Sequence, residues 1–264
     1  VLPPSLKAIA AACLIPTSLG LAKVEYAVSY GYGLSISAVA SLVLRQLESG
    51  TLAYWHALAL VLFGLRLSLF LLYREVFLST FRKFRDRVER RRGGDRNRLA
   101  RVPIIISCAA LYACMASPLF ITSQVAPTPV LKGCVMTAWF GFLIAALGDL
   151  QKSFVKSQLG ERVLVKGGLF ARLRHPNYTG ECFGWTANFL ASAIAAATNW
   201  RSSFVVPLVG SALGWIGIVF VLMQAATGLE KKQKTKYGHL QEYKDWLRKS
   251  WAGPAFSTKA KKAS

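Results

Sequence analysis

Acidic residues are scarce in this chain. Twelve Asp and Glu stand against 33 Lys and Arg, for a formal net charge of +21, and only three histidines and five cysteines are present. The cysteines (Cys13, Cys108, Cys114, Cys134 and Cys182) are odd in number, lack CxxC spacing and mostly lie inside apolar stretches. That pattern argues against a disulfide framework or a zinc centre, and no metal site is expected. No GxGxxG, P-loop, HExxH or GxSxG motif occurs, so the common nucleotide folds, zinc hydrolases and α/β-hydrolases have no signature here. Nor do the basic residues form an aromatic-basic module of the kind that binds RNA or DNA, so nucleic acid is not an expected partner.

What the chain has instead is long apolar runs. Over half of its residues (53%) are hydrophobic, and mean hydropathy is +0.37. The apolar residues fall in blocks of about twenty, the length that crosses a bilayer core of about 30 Å. Seven blocks can be read, at residues 6–22, 26–44, 52–72, 102–121, 130–150, 178–198 and 204–223. The expectation is an all-α integral membrane protein of about seven transmembrane helices, in one polytopic domain spanning 1–264. Residues 1–72 hold the first three helices. Residues 73–101 form a basic amphipathic loop with Phe81, Phe84 and Val88 at helical spacing, expected to lie on the head groups. Residues 102–264 hold the last four helices and a basic, aromatic tail. With seven crossings, about 28 of the 33 Lys and Arg fall on one side, the positive-inside bias. The lipid bilayer is therefore an expected partner. The membrane itself, endoplasmic reticulum or an organellar envelope such as that of a plastid, stays open. The chain begins at Val1 rather than Met, which leaves room for an upstream segment.

Between the fifth and sixth blocks lies KGGLFARLRHPNYTGECFGW, residues 166–185. Pro176 disfavours a helical conformation at His175 and suits the first turn of a new helix. Asn177 and Glu181, four apart, then share a helix face. Three polar groups converge on the basic side. These are Asp149, Lys152 and Lys156 at the end of the fifth block, the RHPNYTGE stretch, and the tail EKKQKTKYGHLQEYKDW. Cations and backbone amides at a helix start suit phosphates, and Tyr and Trp can stack on a flat ring. Such a set fits a nucleotide cofactor, or alternatively an interfacial loop held down by Arg and aromatic anchors. His56 and Arg66 sit within the third block, where ionisable residues are costly and read as functional candidates.

LGDLQKSFVK, GGLFARLRHPNYTGE and KYGHLQEYKDW closely resemble the membrane steroid reductase superfamily. The nearest branch looks like the DUF1295 proteins, and GLRLSLFLLYRE, residues 64–75, resembles a segment of that branch. The resemblance implies a membrane enzyme with its cofactor pocket on the cytosolic-side half of the C-terminal helices. It would bind NADPH and reduce an activated carbon–carbon double bond in a lipid or steroid-like substrate. It also implies cofactor roles for Asp149, Lys152 and Lys156, for Arg174, His175, Asn177, Tyr178 and Glu181, and for Lys236, Tyr237 and Tyr243. Hydride would go to the β-carbon of an enone whose carbonyl a hydrogen-bond donor polarises.

The substrate half of the pattern departs from the family. Steroid 5-alpha-reductases use a Glu and a Tyr from the second and third helices, and the second block here has no internal Glu. Tyr54, His56 and Tyr73 in or beside the third block are the candidate catalytic substitutes. Two other readings stand beside the reductase. Isoprenylcysteine and phospholipid methyltransferases share an RHPxYxG-type loop but bind S-adenosylmethionine. A catalytically silent membrane relative is the third.

Overall fold

Segments that leave water must satisfy their backbone hydrogen bonds internally, and a helix does so within one stretch of chain. A computed structural model describes residues 3–91, 98–160 and 162–256. Among these residues the secondary structure is helical, with one isolated bridge between Leu173 and Trp251. The helices are α1 (Leu6–Thr17), α2 (Val24–Val28), α3 (Tyr30–Leu44), α4 (Leu52–Phe77), α5 (Ser79–Arg91) and α6 (Val102–Ala116). They continue with α7 (Leu119–Thr122), α8 (Pro129–Leu159), α9 (Pro176–Thr198), α10 (Val205–Tyr237) and α11 (Gln241–Lys249).

Among the described residues, five segments are long and apolar enough to cross a membrane: Val24–Leu44, Leu52–Phe77, Arg98–Thr122, Pro129–Leu159 and Ser202–Tyr237. The first and sixth blocks of the expected seven are not among them. Leu6–Leu21 is apolar but short, about 24 Å at the helical rise. α9 is a continuous helix, but Asn177, Thr179, Glu181, Thr186, Asn188 and Ser192 dilute its apolar character.

The chain forms two compact units, residues 1–136 with 187–216, and residues 137–186 with 217–264. In the first, small residues let helices approach backbone to backbone. A Cβ on Gly64 of α4 would lie 2.1 Å from the Gly33 carbonyl oxygen of α3. A Cβ on Gly214 would lie 2.6 Å from backbone atoms of Cys114 and Met115. Several buried polar groups in this unit find partners on a neighbouring helix. Ser117 Oγ donates to the carbonyl of Pro207 at 2.9 Å, and Ser192 and Ser211 share a bond of 2.7 Å.

The basic stretch after α4 is a helix over Ser79–Arg91, where a loop was expected, and residues 98–101 form a turn of 3-10 helix. The side chains of Phe84 and Val88 lie outside the described residues, as do residues 92–97. Acidic residues fasten α5 to the rest of its unit. Asp86 pairs with Lys23 at 3.0 Å, and the Lys23 ammonium holds that carboxyl below its ordinary range. Glu89 pairs with Arg101 at 2.6 Å and accepts from the Val24 amide at 3.2 Å. Arg101 in turn donates to the carbonyls of Leu21 and Ala22 at 3.2 and 3.0 Å.

In the second unit α8 and α9 also meet through glycine. A Cβ on Gly141 would fall 2.5 Å from the Gly184 amide nitrogen, and one on Gly180 would fall 2.4 Å from the Gly141 carbonyl oxygen. Nearer the polar end, a Cβ on Gly148 would stand 2.9 Å from the Asn177 amide nitrogen. Phe142 and Trp185 stack edge to face beside this seam, with ring centroids 5.2 Å apart.

Gly64→Val should drive a branched side chain into the α3 backbone and destabilise the fold by about 1–3 kcal/mol. Gly133→Ala, where nothing lies within 4 Å of the added Cβ, should be neutral. Thermal unfolding of the two purified variants in detergent checks the difference.

Candidate functional site

α8 ends where Gly160 takes φ +87°, its amide donating to the Lys156 carbonyl at 2.9 Å. A glycine in the left-handed region is the common way to stop a helix. Residues 162–175 carry a turn of 3-10 helix over Gly168–Ala171 and otherwise irregular backbone, up to Pro176, the first residue of α9. His175 precedes that helix, and its carbonyl accepts from the Thr179 amide at 2.9 Å.

The segment 163–175 buries Leu164, Val165 and Phe170, and hydrogen bonds hold it at many further points. Gln151 of α8 donates through Nε2 to the Gly167 carbonyl at 2.8 Å and accepts from the Leu169 amide at 3.1 Å. Tyr237 donates its hydroxyl to the Val163 carbonyl at 3.0 Å, and Trp246 Nε1 donates to the Phe170 carbonyl at 2.6 Å. Reciprocal backbone bonds, Arg174 amide to Trp251 carbonyl (2.9 Å) and Trp251 amide to Arg172 carbonyl (2.8 Å), tie the loop to the tail.

Glu230 of α10 is the charged centre of this arrangement. One carboxylate oxygen accepts from His175 Nε2 at 2.8 Å, and the other accepts from Arg174 Nη1 at 3.3 Å. Arg174 uses its remaining donors on the tail, reaching the Leu247 carbonyl at 3.0 Å and the carbonyl and hydroxyl of Ser250 at 3.2 and 3.3 Å. His175 is only 1% exposed and the Glu230 side chain 14%. Removed from water, each of these groups depends on its partners.

Beside this network lies a cavity of about 140 Å³. Lys152 and Lys156 of α8 line one part and Lys232 and Lys236 of α10 another, with Leu164, Phe170 and Tyr237 among its apolar lining. Gln233 also lines it, and its buried Oε1 has no hydrogen-bond partner. The lysines come as two pairs four residues apart, so each pair lies along one helix face. Four lysines and several apolar side chains thus line one small space, the residue types a polyanion with a flat or greasy part would call for.

Of the residues expected at a cofactor, Lys152, Lys156, Lys236 and Tyr237 line this cavity. Arg174 and His175 are engaged with Glu230 instead. Asn177 and Tyr178 are half-buried in the first turn of α9, Glu181 is 6% exposed, and Asp149 is half-buried next to the Gly148 contact. Tyr243 is 2% exposed in a cluster with Leu164, Tyr237 and Trp246. Burial and the nearby Glu230 push its hydroxyl above the ordinary tyrosine value. Sequence reasoning missed Gln151, Glu230, Lys232 and Gln233. The signals were present: a lone acid opens the run EKKQKTK, and Lys232–Lys236 repeats the spacing of Lys152–Lys156.

The expected catalytic trio does not converge. Tyr54 and Tyr73 belong to one helix, α4, and nineteen residues of helical rise separate them by about 28 Å. His56 is 0% exposed, with Nδ1 2.9 Å from Thr122 Oγ1 and Nε2 2.8 Å from Asn188 Oδ1. Asn188 donates onward to the Met115 carbonyl at 3.1 Å. Both ring nitrogens are thus taken up in the unit's own packing, which accounts for a histidine inside an apolar block.

The chain belongs to the DUF1295 family, described as proteins of unknown function, and matches it over residues 23–250. No curated protein and no solved structure matches it. The match takes in the loop, the lysine pairs and Glu230 together.

Glu230→Ala should strand Arg174 and His175 and cost about 1–3 kcal/mol, the penalty for leaving partly buried charged donors without their acceptor. Lys166→Ala, which breaks an exposed pair with Glu242, should cost at most about 1 kcal/mol. Unfolding curves of the two variants separate the cases. Tyr243 has a folded pKa raised above its unfolded value, so the folded state keeps that proton longer. Its contribution to stability is present below about pH 10 and is lost as pH rises beyond it. Tyr243→Phe should flatten the alkaline limb of a stability–pH profile.

Proposed function

We propose that this chain is a membrane oxidoreductase that reduces an activated carbon–carbon double bond of a lipid or steroid-like substrate with hydride from NADPH. The observation that carries the reading is the four-lysine cavity in the loop-bearing unit. NADPH is a polyanion with a pyrophosphate and a further phosphate, so its binding gains from each ammonium group. S-adenosylmethionine bears a net positive charge, and the same lysines oppose it. The charge of the site therefore favours a reductase over a methyltransferase.

When bound, NADPH supplies the hydride; the residues of the chain supply everything around it. Lys152, Lys156, Lys232 and Lys236 would neutralise the phosphates. The Gln233 oxygen, lacking an internal donor, would accept from an amide or amino group. Leu164 and Phe170 would shelter the apolar part from water. The Glu230 carboxylate would hold Arg174 and His175, and with them the loop, in register. No carbonyl-polarising residue is assigned, because Tyr54, His56 and Tyr73 do not meet.

The reading extends to topology. With Leu6–Leu21 and α9 added to the five apolar segments, the chain makes seven crossings and the lysine cavity faces the positively charged side. The membrane would be the endoplasmic reticulum or an organellar envelope.

Detergent-purified protein titrated in parallel should bind NADPH saturably and S-adenosylmethionine not at all. Lys232→Gln with Lys236→Gln should weaken NADPH binding by about tenfold or more, each charge-assisted contact contributing roughly 1.5 kcal/mol or above. Asn177→Ala, run alongside, should also weaken it. Binding of S-adenosylmethionine in place of NADPH would make the protein a lipid methyltransferase, and binding of neither would favour a silent relative. A C-terminal tag should be open to protease on the basic side of sealed vesicles.

A further inference from the structure

The first unit holds a second polar cluster, which the reductase reading does not use. Tyr26 and Tyr30 both donate their hydroxyls to Glu75, the first to Oε1 and the second to Oε2 at 2.8 Å. Arg85 of α5 places Nε 3.6 Å from that second oxygen. Its guanidinium lies 5.0 Å from the ring centroids of Tyr26 and of Tyr30 and 4.8 Å from that of Phe81. The Arg85 side chain is only 4% exposed, and its buried Nη1 has no acceptor.

A fastening for α5 explains part of this. One carboxylate and three aromatic faces hold a flat guanidinium well. The unmatched amino group is what a fastening does not explain, since a buried charged donor without an acceptor is costly. Glu75 faces the two hydroxyls and Arg85 Nε, and no described group accepts from Nη1. The position narrows the choice. Glu75 lies two residues before the end of a membrane-crossing helix, and the same turns of α4 expose Leu69 (64%), Leu72 (50%), Val76 (50%) and Phe77 (70%). An acyl chain lying along that stripe would bring its head to the level of the cluster, and Arg85 would have to turn outward to meet it, since its Nη1 is buried.

We propose that the Tyr26–Tyr30–Glu75–Arg85 cluster binds the head of an anionic amphiphile, a phosphate-headed lipid or a fatty carboxylate, whose oxygen accepts from Arg85 Nη1. The two phenols keep Glu75 occupied, which limits its repulsion of the incoming anion. Nothing is transferred or broken in this step; it is recognition alone. The proposal is independent of the NADPH reading, which concerns the other unit.

The test is native mass spectrometry of the purified full chain with phosphatidic acid, oleate and phosphatidylcholine added separately. The wild type should retain phosphatidic acid or oleate in preference to phosphatidylcholine, and the one retained identifies the head. Arg85→Lys keeps the charge beside Glu75 but removes the unmatched N–H, and should lower retention by about tenfold, as expected for a charge-assisted bond. Arg87→Gln, an exposed arginine of the same helix, should bind as the wild type does. Should Arg85→Lys not fold, Tyr26→Phe leaves Arg85 in place, frees one oxygen of Glu75, and should also reduce retention. No preference over phosphatidylcholine, wild-type retention by Arg85→Lys or Tyr26→Phe, or an equal loss in Arg87→Gln would each overturn the proposal.

Discussion

The carboxylate of Glu230 is the interaction on which the loop-bearing unit depends. It receives His175 on one oxygen and Arg174 on the other. Arg174 spends its other donors on Ser250 and Leu247 of the C-terminal segment. One acid thereby joins a helix, an irregular loop and the tail. Leu164, Val165 and Phe170 anchor the loop by burial, and directional bonds fix the backbone around them. Charged groups taken out of water become expensive when separated, and this makes the arrangement rigid.

The same economy recurs across the chain. Acids are few, and several of them act as fasteners for a much larger number of cations: Glu75 with Arg85, Asp86 with Lys23, Glu89 with Arg101, Glu242 with Lys166. The lysines of the loop-bearing unit gather as well: Lys152, Lys156, Lys232 and Lys236 line one small cavity, and an anion placed there would gain from each of them. The proposed nucleotide cofactor would bring several phosphates to those lysines and its flat part to the apolar lining and Gln233.

Two histidines show how depth decides meaning. His56 and His175 are both buried, and both looked like candidates for chemistry. His56 turns out to complete a network of Thr122, Asn188 and a backbone carbonyl, which solves the problem of a polar ring among apolar helices. His175 meets a carboxylate instead and helps anchor the loop. Neither outcome could be told from residue type, because each depends on what a distant helix places opposite the ring.

Periodicity and block length by themselves determined that the chain is helical and embedded in a membrane, since twenty apolar residues have few other stable forms. The start of α9 at Pro176 and the cationic character of the central loop were equally legible, because proline geometry and charge are local properties. The family was legible too, from RHPNYTGE and the two flanking motifs. The count of crossings was less secure: Leu6–Leu21 is short and α9 carries polar residues whose cost depends on neighbours. Only the tertiary structure decided that Gln151 grips the loop, that Glu230 joins Arg174 to His175, and that Lys232 stands with Lys152 and Lys156. Those pairings link residues from about 16 to about 80 positions apart. Sequence spacing reports what shares a helix face, whereas contacts between helices are set by close packing at glycines such as Gly141 and Gly148, where a missing side chain allows two backbones to meet.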